Sequence, residues 1–97
     1  MPKAYWISAY RAVNDADALA IYGKLAGPAL AAVGGKILAR GMPAAVKEHG
    51  EMQRTVIVEF ESVEAAQAAY LSPGYQEAVK ALTNNAVVRD IRIIEGV

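Results

Sequence analysis

The chain has 97 residues, which favours a single domain over residues 1–97, and its ten basic residues balance its ten acidic ones. The zero net charge and the lack of a basic stripe argue against nucleic-acid binding, and the absence of cysteine excludes disulfides, thiolate metal sites and cysteine nucleophiles. The N-terminus has no apolar core of signal-peptide length and no apolar stretch is long enough to cross a bilayer, so we expect a cytoplasmic protein without membrane contact.

The first predicted elements are a strand and a long helix. Residues 4–11 (AYWISAYR) are rich in aromatic and β-branched side chains, which is typical of a strand. Asn14 is expected to cap the helix that follows, because Asp17, three residues later, can bond back to the cap amide. Apolar residues recur at helical spacing over 18–33. Pro28 is expected to weaken or kink this helix, since proline has no amide hydrogen.

Two further strands are predicted in the middle of the chain. Gly34 and Gly35 end the helix, and residues 36–41 (KILARG) predict a short second strand. Residues 41–53 form a connection in which a short strand over 45–47 is possible. Residues 54–60 (RTVIVEF) are the clearest strand of the chain.

The last third predicts an interrupted helix and a closing strand. Ser62 caps a helix over residues 63–70, and the segment YLSPGYQEAVKAL then interrupts it with adjacent proline and glycine. Ser72 is expected to cap a second helical segment, with Pro73 at its first position. Residues 86–97 (AVVRDIRIIEGV) predict the closing strand.

This order of elements predicts a fold of the α+β class. Strand, helix, strand, strand, helix, strand in one layer is the ferredoxin-like βαββαβ arrangement, an antiparallel sheet with helices on one face. The strands are apolar on both faces: Tyr5 and Ile7 oppose Trp6, and Ile57 opposes Val58. Because the helices cover only one face, we expect a homodimer in which two sheets pack face to face around a two-fold axis.

Several segments resemble a known bacterial family: AYWI at 4–7, Tyr22, GGKILARG at 34–41, residues 54–76 and IIEGV at 93–97. Together they are similar to the family called domain of unknown function 1330, which belongs to the dimeric α+β barrel superfamily. The resemblance covers essentially the whole chain. It implies the ferredoxin-like fold and the homodimer, and it implies no particular reaction.

The same resemblance directs attention to the space between sheet and helices. Superfamily relatives include cofactor-independent monooxygenases and isomerases, whose ligands generally lie between the sheet and the helices of one subunit. A small-molecule pocket there is therefore what the resemblance implies.

Arg40 and Arg54 are candidate ligand-binding residues. Arg40 lies at the end of the second predicted strand and Arg54 at the start of the third, so both can lie near one end of the sheet. A planar guanidinium can bind a carboxylate or enolate oxygen through two donors. The alternative is a pair of surface ion pairs to Glu48, Glu51 or Glu95, each contributing about 0–1 kcal/mol.

Four further residues are candidates for the same pocket: Trp6, Tyr22, Ser72 and Tyr75. Tyr22 lies on the apolar side of the first helix, where its hydroxyl can bond either to the protein or to a ligand. Trp6 can serve core or interface packing as well as ligand contact. Ser72 and Tyr75 belong to the Pro-Gly break, which is either a plain helix restart or a device that brings Tyr75 to the rim of a pocket.

Other polar residues are given structural interpretations. His49, the single histidine, lies in a polar loop between two glutamates and is interpreted as solvated, because it has no second histidine with which to bind a metal. Asn84 and Asn85 are interpreted as a helix end. The charged residues of the closing strand are interpreted as edge protection or interface pairing; they are Arg89, Asp90, Arg92 and Glu95.

The sequence thus leaves two functions open. One is a protein with a small-molecule pocket and no known activity. The other is a cofactor-independent monooxygenase or isomerase that acts on a small aromatic or enolisable acid, with tyrosine and arginine stabilising an oxyanion. No catalytic residue is assigned, and no metal or cofactor is expected, because no phosphate-binding glycine loop or catalytic triad is present.

Overall fold

Four antiparallel strands and three helices make up the fold of this protein, in a computed structural model that describes residues 2–97. The elements in chain order are β1 (Ala4–Val13), α1 (Ala16–Ala32), β2 (Lys36–Gly41), β3 (Thr55–Phe60), α2 (Val63–Leu71), α3 (Pro73–Val79) and β4 (Val87–Glu95). Among the described residues no helix is both long and apolar enough to span a bilayer.

The sheet has the strand order β2-β3-β1-β4, with every neighbouring pair antiparallel. Trp6 in β1 pairs with Val58 of β3 on one side and with Ile93 of β4 on the other. Because side chains alternate along a strand, these residues share the face that packs against the helices. The predicted ferredoxin-like α+β class is confirmed.

The N-terminal end of α1 differs by one residue from the expectation. The N-cap of α1 is Asp15, whose carboxylate accepts from the Ala18 amide at 3.0 Å, and not Asn14. The amides of Asn14 and Asp15 both donate to the Ala86 carbonyl, so the chain is still attached to the neighbouring strand at Asn14. The helix then continues through Pro28 without interruption.

The connection between β2 and β3 contains no strand, so the short strand suggested for residues 45–47 was wrong. This segment closes a tight turn instead: the Gly50 amide donates to the Lys47 carbonyl at 2.9 Å, and Glu48 adopts a positive φ of 53°. A residue in the left-handed conformation cannot continue an extended strand.

The Pro-Gly break is a helix restart. Ser72 caps α3 by accepting from the Tyr75 amide at 3.4 Å, and it donates to the Ala69 carbonyl of α2 at 2.7 Å. Pro73 is the first helical residue, where a missing amide hydrogen is tolerated. The restart brings α3 against α1, which fixes Tyr75 beside Tyr22.

The core lies between the helices and the inner face of the sheet. Its largest fully buried side chains are Trp6, Tyr75, Phe60 and Val58. The ring of Trp6 stacks near Phe60, with centroids 6.0 Å apart, and meets Tyr75 edge-on at 5.0 Å. This aromatic half of the core lies under α2 and α3, and the sheet beside it is covered by α1.

Candidate functional site

A small cavity lies between α1 and the helix-facing side of β1, β2 and β3. Its volume is about 40 Å³. A water molecule needs about 10–15 Å³ by this measure, so the cavity has room for about three water-sized groups. Its polar lining consists of Ser8, Tyr10, Tyr22, Arg40 and Arg54, and the remaining lining is Trp6, Gly23, Ala26, Gly27, Leu30, Ile37, Val56 and Val58.

Strand alternation brings these polar side chains to one face. Ser8 and Tyr10 follow Trp6 at every second position of β1, and Arg54, directly before β3, precedes Val56 by two residues. Arg40 in β2 pairs with Val56, so it lies diagonally across from Arg54 on the same face. The two arginines that the sequence suggested as a pair therefore both line the cavity.

Arg89 of β4 joins three tyrosine hydroxyls at the side of this cavity. Its Nη1 donates to Tyr10 Oη at 3.2 Å and to Tyr22 Oη at 3.0 Å, and its Nη2 donates to Tyr75 Oη at 3.1 Å. Tyr22 Oη and Tyr75 Oη are themselves 2.7 Å apart. The guanidinium also lies over the Tyr22 ring, 4.8 Å from its centroid. This cluster, Arg89 with Tyr10, Tyr22 and Tyr75, is called the tyrosine–arginine cluster below.

The electrostatics of the cluster keep its phenol neutral and its guanidinium charged. Burial, followed by the neighbouring Tyr22, raises the pKa of Tyr75, and Arg89 opposes this only in part. Burial lowers the pKa of Arg89, but its contacts with Tyr22, Tyr75 and Tyr10 outweigh burial and raise it. At neutral pH Tyr75 is therefore a hydrogen-bond donor rather than a phenolate.

The arginines around the cavity have no carboxylate partner. Within residues 2–97 the ion pairs shorter than 4.0 Å are Lys3 with Glu59 and Glu61, Arg11 with Asp90, and Lys80 with Glu77. The surface ion pairs considered for Arg40 and Arg54 are thus not formed. Arg54 Nε is buried and has no hydrogen-bond partner in this part of the chain.

Comparison with known proteins identifies the family. Residues 3–97 match the family described as domain of unknown function (DUF1330). The chain belongs to that family. None of the curated proteins matches this DUF1330 chain significantly.

Solved structures similar to this DUF1330 protein share its fold. A protein of unknown function from Rhodopseudomonas palustris is 26% identical, with a TM-score of 0.70 over 98% of this chain and 81% of its own. SnoaB from Streptomyces nogalater, described as a cofactor-independent oxygenase, is 12% identical, with a TM-score of 0.61 over 100% of this chain and 95% of its own. A dimeric protein of unknown function and ferredoxin-like fold from Bacteroides fragilis is 15% identical, with a TM-score of 0.57 over 97% and 96%.

Four of the residues suggested from the sequence, Trp6, Tyr22, Arg40 and Arg54, line the same cavity of the DUF1330 chain. Trp6 is 1% exposed, and its indole Nε1 donates to Ser8 Oγ at 2.8 Å, so its polar atom is already used. Arg40 is exposed and therefore lies where the cavity meets solvent.

The remaining two suggested residues, Ser72 and Tyr75, do not line the cavity. Ser72 is occupied in capping α3. Tyr75 is 0% exposed and lies behind Tyr22, so the expectation that it forms the rim of a pocket was wrong. The reason is that α3 packs directly on α1, which seals Tyr75 inside the core.

His49 lies away from the cavity, in a shallow depression that also contains Arg11 and Asp90. It is exposed, as expected of a loop histidine. Within residues 2–97 no group of three or more histidine, cysteine or acidic side chains is close enough to hold a metal ion.

Sequence reasoning missed Ser8, Tyr10 and Arg89. The first two carried a usable signal, because a serine and a tyrosine two and four residues after Trp6 must share its buried face. Arg89 was interpreted as edge protection or interface pairing, which was wrong. Its position two and four residues before the inward-facing Ile91 and Ile93 was the signal that it points toward the helices.

Proposed function

We propose that this DUF1330 protein binds a small organic anion, through a carboxylate or enolate oxygen, in the cavity under α1. The observation that carries the proposal is Arg54, whose buried Nε has no partner among residues 2–97, while the cavity lining contains no carboxylate. An unsatisfied buried donor costs about 1–3 kcal/mol, and more when it is charged. An anionic ligand would remove that cost.

The positive charge around the cavity supports the same ligand class. Arg40 and Arg54 line the cavity, and Arg89 lies at its side in contact with two lining tyrosines. A protein with as many acidic as basic residues has carboxylates available to pair these guanidiniums. The absence of carboxylates from the cavity lining favours a negative charge supplied by a ligand.

Gly23 supports a cavity that is kept open. A glycine in the middle of a helix costs about 0.5–1 kcal/mol relative to alanine. A Cβ at Gly23 would have no other atom within 4 Å, so packing does not require glycine here. Gly27 has the same free space, but it precedes Pro28, and a residue before proline gains by lacking a Cβ. Gly23 is therefore the clearer evidence that the cavity is kept free of side chains.

The size of the cavity limits what binds inside it. Ligand pockets for drug-sized molecules have volumes of about 300–1,000 Å³, far above that of this cavity. A carboxylate group fits in about 40 Å³. An aromatic acid would place only its head group there, with the rest of the molecule extending past Arg40 toward solvent.

A titration with sodium acetate, followed by NMR of the ¹⁵N-labelled protein, tests this proposal. We expect saturable shifts at Ser8, Tyr22 and Gly23. In Arg54→Met acetate binding should weaken about tenfold or more, because hydrogen bonds to charged groups contribute about 1.5–3 kcal/mol. Arg92→Met on the opposite face of the sheet is the matched control and should bind like the unchanged protein. Equal binding by both variants would refute the proposal.

Cofactor-independent oxygenation or isomerisation of an enolisable acid at this cavity is a second candidate function. The specific observation is the convergence of Arg54, Tyr10 and Tyr22, whose donors can stabilise a developing oxyanion. The cavity lining offers no histidine, aspartate or glutamate as a base, so the substrate would have to be acidic enough to ionise readily. Oxygen uptake and product formation with a panel of quinols and lactones, for the unchanged protein and Arg54→Met, test this. Turnover that persists in the variant, or no turnover at all, would reject it.

We also propose that the protein is a homodimer through the outer face of the sheet, the face opposite the helices. Apolar residues of three neighbouring strands share this face: Tyr5 and Ile7 in β1, Ile57 in β3 and Ile94 in β4. Ile94 is 58% exposed. A second copy of the chain supplies a matching face around a two-fold axis. The dimeric Bacteroides fragilis protein of the same fold adds an analogy.

Light scattering at micromolar concentration tests the dimer. Ile57→Glu should give a monomer mass, because it places a charge in the middle of the apolar face. Leu71→Glu, at an exposed site at the end of α2, is the control and should leave the mass unchanged. A monomer mass for the unchanged protein would refute the dimer.

A further inference from the structure

The hydrogen bonds of Arg89 restrict the direction in which the neighbouring hydroxyls can donate. A guanidinium has only donors, so each of the three tyrosine oxygens in the tyrosine–arginine cluster accepts from Arg89. Each hydroxyl proton must therefore point away from Arg89. Where each hydroxyl proton can then point depends on the other hydrogen-bonding groups near that oxygen.

The contact between Tyr22 and Tyr75 has one favourable orientation. Only one of the two hydroxyls can donate across their 2.7 Å contact. Tyr75 is 0% exposed and does not line the cavity, so a Tyr75 proton that pointed elsewhere would be a buried donor without an acceptor. Tyr75 therefore donates to Tyr22. The Tyr22 oxygen then accepts from both Arg89 and Tyr75, and its own proton is directed into the cavity.

Ser8 and Tyr10 follow the same rule. Ser8 is 3% exposed, and its oxygen accepts from the Trp6 indole, which leaves its proton free. Tyr10 accepts from Arg89 and likewise has no acceptor for its own proton within residues 2–97. With the unpaired Arg54 Nε, the cavity presents four donors, and its side chains include no carboxylate, amide or imidazole acceptor.

We infer that Arg89 is a positioning residue that turns the Tyr10 and Tyr22 hydroxyl protons into the cavity and thereby selects ligands whose oxygens only accept hydrogen bonds. This inference rests on the proposed function and specifies its ligand. A carboxylate can accept from every donor of the cavity. A carboxamide of the same shape turns an NH₂ group toward Arg54, which has no lone pair, or toward Tyr22, whose two lone pairs are already filled by Arg89 and Tyr75. Arg89 acts through Tyr10, Tyr22 and Tyr75 and need not touch the ligand itself.

The experiment compares sodium acetate with acetamide at equal ionic strength, by NMR titration of the ¹⁵N-labelled full chain. We expect the unchanged protein to bind acetate at least about tenfold more tightly than acetamide, because charge-assisted hydrogen bonds are about twice as strong as neutral ones. Arg89→Lys keeps the positive charge but loses the fork that reaches three hydroxyls. The ratio of the two affinities should fall at least about fivefold in this variant, since the freed tyrosine oxygens can then accept from the amide.

Tyr75→Phe is the second variant and leaves Arg89 in place. It removes the proton that fills one lone pair of Tyr22, so the affinity ratio should fall in the same direction without any change of charge. It keeps the inference testable if Arg89→Lys does not fold. Arg92→Lys, on the opposite face of the sheet, is the matched control and should keep the ratio of the unchanged protein.

The outcomes separate the two proposals. Selective acetate binding by the unchanged protein, with a lower ratio in both variants, supports the role of Arg89. If both variants lose stability but keep the ratio within about twofold, the cluster only locks the helices to the sheet and the inference is overturned, while carboxylate binding stands. No acetate binding by the unchanged protein would overturn the proposed function and this inference together.

Discussion

The arginines on the two faces of the sheet contact different kinds of groups. On the outer face Arg11 donates to Asp90 at 2.7 Å, so a carboxylate of the neighbouring strand balances its charge. On the helix-facing side Arg54 and Arg89 contact tyrosine rings and hydroxyls and no carboxylate within residues 2–97. Arg92, also on the outer face, has no ion pair within residues 2–97, but its side chain is exposed to water. Arg54 and Arg89 are half-buried and still lack a carboxylate, which marks the helix-facing side as the place for an external anion.

The largest effect is expected from removing the aromatic support of the helix-facing side. Trp6→Ala should lower the free energy of unfolding by about 3–5 kcal/mol, because it deletes a large buried ring packed between Phe60 and Tyr75. Urea unfolding measures this. Leu71→Ala, at a side chain that is 73% exposed, is the control and should change it by less than about 0.5 kcal/mol. Similar losses for both variants would mean that the aromatic half of the core is not closely packed.

A smaller effect of opposite sign is expected at Arg54. Arg54→Met should raise the free energy of unfolding by about 1 kcal/mol in the absence of ligand, since it removes a buried donor for which the described part of the chain offers no partner. The lost contact with the Tyr10 ring, 6.0 Å from the guanidinium carbon, offsets part of this gain. Thermal unfolding without acetate measures this net change in stability, and thermal unfolding with acetate measures how much stabilisation by the ligand is lost. A clear loss of stability without ligand would show that Arg54 is held for structural reasons.

The fold was predictable because its signals are local. Residues 54–60 are rich in β-branched side chains and carry apolar residues on both faces, which is typical of a strand. Ser62 and Ser72 cap the two helices that the sequence suggested. The errors were of one residue or one short segment. The N-cap moved from Asn14 to Asp15: the Asn14 side chain donates to the Asn85 carbonyl at 2.8 Å, and the Asp15 carboxylate is the group that accepts from the Ala18 amide.

The site was predictable only where two consecutive, paired strands determine it. Arg40 and Arg54 share a face by pairing and parity, so their common cavity could be anticipated from the order of strands. The tyrosine–arginine cluster depends on how α1 and α3 pack across the sheet, which joins Tyr22 to Tyr75 over 53 positions of the sequence. No periodic pattern in the sequence predicts the contact between Tyr22 and Tyr75. Tyr75 was therefore expected at the rim of the pocket, whereas it is buried behind Tyr22.

A third prediction concerns the space reserved at Gly23. Gly23→Ala should raise the free energy of unfolding by about 0.5–1 kcal/mol, because alanine favours the helix and its methyl group meets no atom. Acetate binding should weaken, since the methyl group occupies part of the cavity. Gly34→Ala is the control: Gly34 has a φ of +90°, so alanine there should destabilise the protein. A stabilised Gly23→Ala that binds acetate normally would show that the free space at Gly23 opens to solvent.

The smallest expected effect is a pH-dependent contribution of Asp90, on the outer face, to the free energy of unfolding. The hydrogen bond from Arg11 holds the pKa of Asp90 below its usual range, despite partial desolvation. A depressed pKa stabilises the folded state above the unfolded pKa of about 3.9, and this contribution is lost as pH falls through the folded value. The destabilisation caused by Asp90→Asn should therefore be present at pH 7 and disappear in acid, and salt should reduce it because the pair is exposed.

Tyr75→Phe provides the comparison on the other face. Burial raises the pKa of Tyr75, so its contribution is complete below the unfolded pKa of about 10 and is lost only at higher pH. Urea unfolding of both variants between pH 3 and pH 8 should show a pH-dependent loss for Asp90→Asn and a constant one for Tyr75→Phe. A constant loss for Asp90→Asn would mean that the outer face does not pair its charges as the 2.7 Å contact with Arg11 indicates, and the contrast between the two faces would fail.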